Sequence, residues 1–379
     1  MAQPRVLIVS PTYTHPANQG NSARICAMGK RLQAAGIAVE LLIYVLDWAG
    51  DESLAEMRAC WDAVHLLDAQ PFARQSHATC WGIDDWCPDV LVDKVAQLQA
   101  EAGYDAVIVN YVWLSKALDG AGSALKILDT HDLFGDRHRL AHRAGVEPNW
   151  FFTTIDDENR AFNRADIVLA IQGEEQKSIQ IRTRSEVMLV SHPVEPMHRN
   201  DHAEAPKAAT FGYIGSSNPW NQLSVLQLDA ALTGSGVDWL IGGRICNIGL
   251  RLKSNPFILG EIEDVGAFYR SVECCFNPMV DATGLKIKTI EALAYDTPVI
   301  GTRDAFVGLN ATHPFHQCSD AAELVEAAVE VAGSDALRAE LRAAGRNVFF
   351  RYLLDVDRQY DALIAAITDT ITARPTAAA

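Results

Sequence analysis

Residues 281–302, DATGLKIKTIEALAYDTPVIGT, read in order as loop, helix and strand. Gly284 opens the segment, Lys286 and Lys288 follow, and Pro298 starts a short apolar run. Between them Ile287, Ile290 and Leu293 or Ala294 recur at helical spacing, which predicts a buried stripe with Lys288, Glu291 and Tyr295 on another face. Lysines sit poorly at a helix start, because the open N–H groups there carry partial positive charge and disfavour a cation by roughly 0.3–1 kcal/mol. A bound anion removes the conflict. A diphosphate lying on those N–H groups, with ammonium groups beside it, is the expected occupant. The competing reading is a solvated helix end with an i,i+3 pair of Lys288 and Glu291.

Working outward, the second half of the chain alternates short apolar runs with helical stretches. The runs are ATFGYIG at 209–215, DWLIGG at 238–243, PFILG at 256–260, VECCFNPM at 272–279 and TPVIGT at 297–302. The first half does the same with RVLIVS at 5–10, VELLIYVL at 39–46, AVIVNYV at 106–112, KILD at 126–129, DIVLAI at 166–171 and VMLVS at 187–191. Near-continuous apolar runs separated by helices are how parallel strands buried on both faces appear. The polar, proline-containing stretch 195–208, EPMHRNDHAEAPKA, reads as an interdomain linker. A long helical tail follows from about 334 to 370, and TARPTAAA at 372–379 is expected to be disordered. The fold class is therefore α/β, with two doubly wound domains facing each other across a central cleft.

A chain of 379 residues is long enough for two such cores, and 49% hydrophobic with 21% charged residues is globular composition. The formal net charge of −16 argues against nucleic-acid binding and against broad attraction to anionic lipid. No stretch reaches the ~20 apolar residues of a membrane span, and MAQPRVLIVS lacks the long apolar core of a signal peptide. A cytoplasmic protein is expected, with at most peripheral contact at the inner face of a membrane. The basic stretches RHRLAHR at 137–143 and KSIQIRTR at 177–184 are candidates for an acidic ligand or a lipid head group, or else solvated faces. The eight cysteines lack CxxC spacing and read as reduced core residues; Cys80 and Cys87 are near enough in sequence to pair only in an oxidising compartment. No zinc spacing is present.

Loops at the carboxyl ends of the strands carry the candidate chemistry. Gly20, in the loop after the first strand, would let backbone approach a ligand, although the dinucleotide fingerprint GxGxxG is absent. KILDTHDLFGDRHR at 126–139 ends a strand in a polar cluster, where His131 shares its turn with Asp129, Asp132, Asp136 and Arg137. Gly215 and Ser216 are placed to offer N–H groups to a phosphate, with Asn221 extending the polar wall. Backbone from Gly260 to Ile262 is placed to read a nucleobase edge. The adjacent acids Asp84–Asp85 and Asp156–Asp157 suggest surface segments rather than a metal site. Trp81, Trp86 and Trp150 lie outside regular patterning, where aromatics stack on sugars, sit against lipid, or cap the core.

Taken together these segments resemble the GT-B glycosyltransferases, and within them the family 4 type (glycosyl transferases group 1). The likeness covers nearly the whole chain: the Gly20 loop, THD at 130–132, RADIVLAIQGEE at 164–175, FGYIGS, FILGEIEDVGAFY, and LKIKTIEALAYDTPVIGT. The resemblance implies an N-terminal Rossmann-like acceptor domain over 1–200 and a C-terminal donor domain over 201–350. Residues 351–379 would form a helix crossing back to the first domain, with a disordered tail. It implies transfer of a sugar from a nucleoside diphosphate sugar to an acceptor hydroxyl, retaining and metal-independent, with no cofactor besides that co-substrate. The acceptor would be a glycan, a lipid-linked glycan or a small molecule, in surface polysaccharide, glycolipid or glycoside synthesis.

Carried onto this sequence, Glu291 would hold the ribose. Lys286, Lys288, Gly284, Gly215, Ser216 and Asn221 would surround the diphosphate, with Ile262 and Gly20 also on the donor. His131 and Asp132 would lie beside the transferred sugar, and Arg137, Trp81, Trp86 and Trp150 would meet the acceptor. Two departures stand out. Thr283 occupies the place of a donor-sugar glutamate, with Asp281 two residues earlier, and the Ser216–Asn221 loop lacks the Arg/Lys pair of many members. Thr283 keeps open a catalytically silent nucleotide-sugar binder or partner subunit; a GT-B sugar-nucleotide epimerase is the other alternative.

Overall fold

The computed structural model describes residues 3–17, 19–72, 75–148, 150–197, 209–280 and 283–373. It divides into two compact units, one of Met1–His142, Pro148–Pro193 and Val356–Ala379, the other of Arg143–Glu147 and Val194–Asp355. Most of the expected linker, 198–208, and the last six residues lie outside the described residues.

The first unit runs β1 (Arg5–Ser10), α1 (Gly20–Ala34), β2 (Ala38–Val45), α2 (Asp51–Cys60), β3 (Ala63–Asp68), α3 (Asp89–Ala102), β4 (Ala106–Asn110), β5 (Leu125–Asp129), α4 (Arg137–Arg143), α5 (Ile155–Phe162), β6 (Ile167–Ala170), α6 (Gly173–Gln180) and β7 (Glu186–Leu189). Its seven strands are all parallel in the order β3-β2-β1-β4-β5-β6-β7. The order reverses at β1/β4, so right-handed crossovers place helices on both faces. That is why Val6 to Val9 and Val107 to Val109 are almost wholly buried. Sequence reading missed β3: AVHLLD is an edge strand of half-buried positions, so no continuous apolar run marks it.

The second unit runs β8 (Ala209–Ile214), α7 (Pro219–Leu232), β9 (Trp239–Gly242), β10 (Phe257–Gly260), α8 (Val265–Ser271), β11 (Val272–Asn277), α9 (Ile287–Ala294), β12 (Val299–Gly301), α10 (Ala321–Ala332) and α11 (Asp335–Ala373). Five parallel strands lie in the order β10-β9-β8-β11-β12, reversing at β8/β11. Phe211, Tyr213, Leu228, Trp239, Phe276 and Ile300 form its core. The last part of α11 packs in the first unit: Val356, Tyr360, Leu363 and Ile367 are buried at helical spacing, and Gln359 Oε1 accepts from the Ser191 N–H at 2.8 Å. In each sheet, loops that leave the switch point in opposite directions open a crevice at the strands' carboxyl ends.

Candidate functional site

In the second unit the crevice-side loops follow β8 and precede α9. As the hydrophobic stripe requires, Ile290, Leu293 and Ala294 are buried, and this turns Lys288 toward β8 and α7. Its Nζ donates to Asn221 Oδ1 at 2.6 Å and to the Tyr213 hydroxyl at 3.0 Å, and lies 4.7 Å from the centre of the Tyr213 ring. The Asn221 amide nitrogen donates to Ser216 O and Oγ at 3.1 and 3.0 Å, which fixes its oxygen toward the amine. Two neutral acceptors and a ring face replace water. Among the described residues no carboxylate stands within ion-pair distance of Lys288.

Burial therefore pushes the Lys288 ammonium down to about 7; Lys286 lowers it further and Glu291 only partly opposes this. Glu291 does not form the i,i+3 ion pair. The Tyr269 hydroxyl donates to its Oε2 at 3.4 Å, Tyr269 is stacked on Tyr295 at 5.1 Å, and burial raises the carboxyl above its ordinary range against the opposing effects of Tyr269 and Lys288.

Lys286 occupies the N-cap position of α9, where a cation is electrostatically disfavoured. Its Nζ folds back to donate to Thr283 O at 2.9 Å and Gly284 O at 2.8 Å. Gly284 has φ +75°, a left-handed turn that lets the loop close on the ammonium. Asp281 lies outside the described residues.

Gly215 departs from expectation. Its N–H donates to Gly242 O at 3.1 Å and its carbonyl accepts from Ile245, so that amide is spent on the sheet and is not open to a phosphate. Its lack of a side chain matters instead, because a Cβ there would stand 2.7 Å from the Tyr213 hydroxyl under Lys288. Ser216 is exposed, and its N–H has no intramolecular partner among the described residues. Ile262 lies in the loop after β10 with its side chain over Gly242. Asn221 is buried, so it serves as the seat of Lys288 rather than as an open polar wall.

In the first unit His131 is 9% exposed and has φ +58°. Its Nε2 is 2.8 Å from Asn110 Oδ1 and 3.5 Å from Asp129 Oδ2, and its ring stacks on Tyr111 at 4.2 Å. Burial lowers the imidazole to about 4, since Asp129 and Asp132 pull it up less than burial and Arg24 push it down. Beneath it Arg24 and Asp129, 1% and 0% exposed, form a two-pronged pair at 2.9 and 2.7 Å. Burial would raise the Asp129 carboxyl, but Arg24 and His131 outweigh it and hold it low.

Asp132, expected beside the reacting sugar, pairs with Arg137 at 2.8 Å and accepts from the Leu133 N–H. The two residues, expected in separate roles, form an ion pair with each other. Gly20 is the first residue of α1, whose next turn carries Arg24.

Trp86 is 4% exposed, stacked on Phe72 at 4.2 Å and edge-on to Trp113 and Phe151. It is a core residue, out of reach of an acceptor. Trp81 is partly buried, with its backbone N–H donating to Phe152 O at 3.0 Å. Trp150 is 53% exposed and held at φ +67° against Trp86. The adjacent acids are also committed: Asp84 to Arg164, Asp85 to the Ser76 and Gly82 N–H groups, and Asp157 to Arg160 and His77. Asp157 is buried, contrary to the surface expectation. Among the described residues no three His, Cys, Asp or Glu side chains are grouped to hold a metal ion. Cys80 and Cys87 are both buried free thiols. Arg24, Asn110, Tyr111, Tyr213 and Tyr269 were missed, because their partners in these clusters are distant in sequence.

The fold is shared with solved structures of low sequence identity. Sucrose-phosphate synthase from Thermosynechococcus elongatus matches at 17% identity and TM-score 0.70, over 96% of this chain and 100% of that one. The Anabaena protein HepE in complex with UDP matches at 13% identity and TM-score 0.66, over 96% and 100%. A glycosyltransferase from Rickettsia africae matches at 13% and 0.66, over 99% and 100%. The fold is GT-B. Residues 232–334, which contain α9 and the Lys286–Glu291 segment, match the family model described as "Glycosyl transferases group 1". Among curated proteins none matches the sequence significantly. In this GT-B chain no described helix is long and apolar enough to cross a membrane.

Proposed function

We propose that the chain is a nucleotide-sugar-dependent glycosyltransferase that moves a sugar from a nucleoside diphosphate to an acceptor hydroxyl. The observation that carries the reading is Lys288. A desolvated amine with no ion-pair partner among the described residues sits on neutral acceptors beside an open loop amide, in the segment that matches the glycosyl transferase model. Such a site is incomplete without an anion, and a diphosphate supplies it. Glu291, on the same helix three residues on, takes the ribose hydroxyls. Lys288, Lys286 and the Ser216 amide stabilise charge as it develops on the leaving diphosphate, which makes the chemistry metal-independent. The likeness to HepE in complex with UDP favours a uridine nucleotide.

Transfer with retention, the acceptor class and a cytoplasmic site of action belong to the same proposal. The acceptor is a glycan, lipid-linked glycan or small molecule, with Trp150, Trp81 and Arg137 on its side. A thermal-shift panel of nucleoside diphosphates and their sugars tests the reading, because selective binding to the folded state raises the melting temperature. Selective stabilisation followed by turnover is expected. A shift without turnover, on any acceptor or water, would instead indicate a silent binder, and no shift with any member would refute the proposal.

A further inference from the structure

We propose that the open edge of β10 is a self-association surface, where two copies of this chain pair antiparallel about a two-fold axis at Ile258 and join their five-stranded sheets into one.

The sheet edges are β3 and β7 in the first unit and β10 and β12 in the second. An uncovered edge presents unpaired N–H and C=O groups to any chain that can lie beside it, and folds blunt it with charge or cover. β12 is buried throughout, while β3 and β7 are mostly half-buried and carry His65, Asp68 and Glu186. β10 has neither charge nor cover. Phe257, Ile258 and Leu259 are consecutive and 64%, 58% and 38% exposed. Phe257 and Ile258 follow their β9 partners Leu240 and Ile241 to opposite faces, so the edge is apolar and open on both. Pro256 before the strand and the register shift against β9 between Ile258 and Gly260 keep the run short.

Register favours a second copy of this chain over any other partner. Opposed residues of an antiparallel pair share a face, so a two-fold axis normal to the sheet falls on a residue rather than between two. An axis at Ile258 sets that side chain against its own copy and brings Phe257 beside Leu259 of the other chain, so apolar meets apolar along the whole run. An axis at Leu259 would set Phe257 against Glu261. The axis at Ile258 also matches the flanks. Lys253 and Glu263 each stand five residues from Ile258, on opposite sides, so the basic flank of one copy meets the acidic flank of the other. Both are exposed, and among the described residues neither is in an ion pair.

Residues of this size carry roughly 200 Å² each when fully accessible, which gives the strand about 300 Å² of exposed apolar surface per copy. Two copies cover about 600 Å² there, and the polar flanks bring the total to about 1,000 Å², where specific interfaces begin. The association is therefore reversible. Pairing uses up the edge of both copies, so assembly stops at two.

Sedimentation velocity of the full chain between about 1 and about 200 µM tests the surface. The weight-average mass is expected to climb from the 41.4 kDa monomer toward twice that value and no further. Ile258→Lys sets two ammonium groups against each other at the axis and should keep the protein monomeric throughout. Lys253→Glu should weaken the dimer about tenfold, and exchanging the charges with Lys253→Glu and Glu263→Lys together should restore it to within about threefold of wild type. Circular dichroism checks that each variant is folded; if Ile258→Lys is not, Phe257→Glu on the same edge carries the same expectation. A wild-type monomer at every concentration, growth beyond two copies, a folded edge variant that still dimerises, a charge reversal without effect or an exchange that fails to restore pairing would each overturn the proposal.

Discussion

Lys288 makes nucleotide binding depend on pH in a direction that can be worked out in advance. In the free protein its ammonium is held at about 7, chiefly by burial. A diphosphate in contact adds an attraction of about 4 kcal/mol at 4 Å and an effective dielectric near 20, which is about three pKa units. The bound-state pKa is then about 10. Below pH 7 the lysine is charged in both states and contributes little pH dependence. Above pH 7 the free protein must take up a proton in order to bind, and affinity falls about tenfold per unit. From pH 7 to pH 9 the dissociation constant for UDP should rise about fiftyfold, with about one proton taken up per UDP near pH 8.5. The nucleotide does not confuse the measurement over that window, because its terminal phosphate titrates at about 6 and is almost fully ionised above pH 7.

Isothermal titration in two buffers of different ionisation enthalpy measures both quantities. Lys288→Arg should keep its charge and flatten the profile, and Lys288→Met should flatten it at low affinity. Stability of the unliganded protein should run the other way. The folded-state pKa lies below the ordinary 10.5, so the unfolded chain binds more protons between pH 7 and 10.5 and stability rises with pH through that window. Wild-type affinity that varies less than about threefold between pH 7 and 9, without proton uptake, would refute the placement of the diphosphate on this amine.

Three further outcomes follow from single contacts. Asp129→Ala leaves the Arg24 guanidinium buried without its two-pronged partner and should cost about 3–5 kcal/mol in urea unfolding, against near-native stability if the pair were superficial. Gly215→Ala would press a methyl group onto the Tyr213 hydroxyl, costing about 1–3 kcal/mol and weakening UDP binding, because the ring under Lys288 must move. Trp86→Ala should cost about 3–5 kcal/mol, whereas Trp150→Ala should leave the unfolding midpoint nearly unchanged and raise the acceptor KM; the reverse pattern would place the acceptor elsewhere.

What the sequence made legible follows from which interactions are local. Apolar runs mark the parallel strands, whether buried on both faces as β1 and β4 are or largely exposed as β10 is, so all five strands of the second unit and six of seven in the first could be read directly. β3 escaped because His65 interrupts its run and Asp68 ends it. The helix that carries Lys288 and Glu291 was equally legible, since its periodicity is contained in eight residues. The seat of Lys288 was not: its acceptors stand 67 and 75 residues away, on α7 and β8, and only the fold brings them together.

The misreadings share one cause. Trp86 lies in an irregular loop, where absent periodicity looks like exposure, yet that loop folds its tryptophan into the core. Gly215 looked like a phosphate-binding turn because a loop glycine leaves its N–H available on paper, while the pairing of β8 with β9 had already engaged it. His131 was found as a histidine at a strand end, but its Nε2 contact is Asn110 Oδ1, 21 residues earlier on the neighbouring strand, and burial with Arg24 on α1 holds its imidazole down. A linear pattern can therefore nominate a charged or titratable group. The tertiary neighbours decide whether it is charged, and which atom it presents.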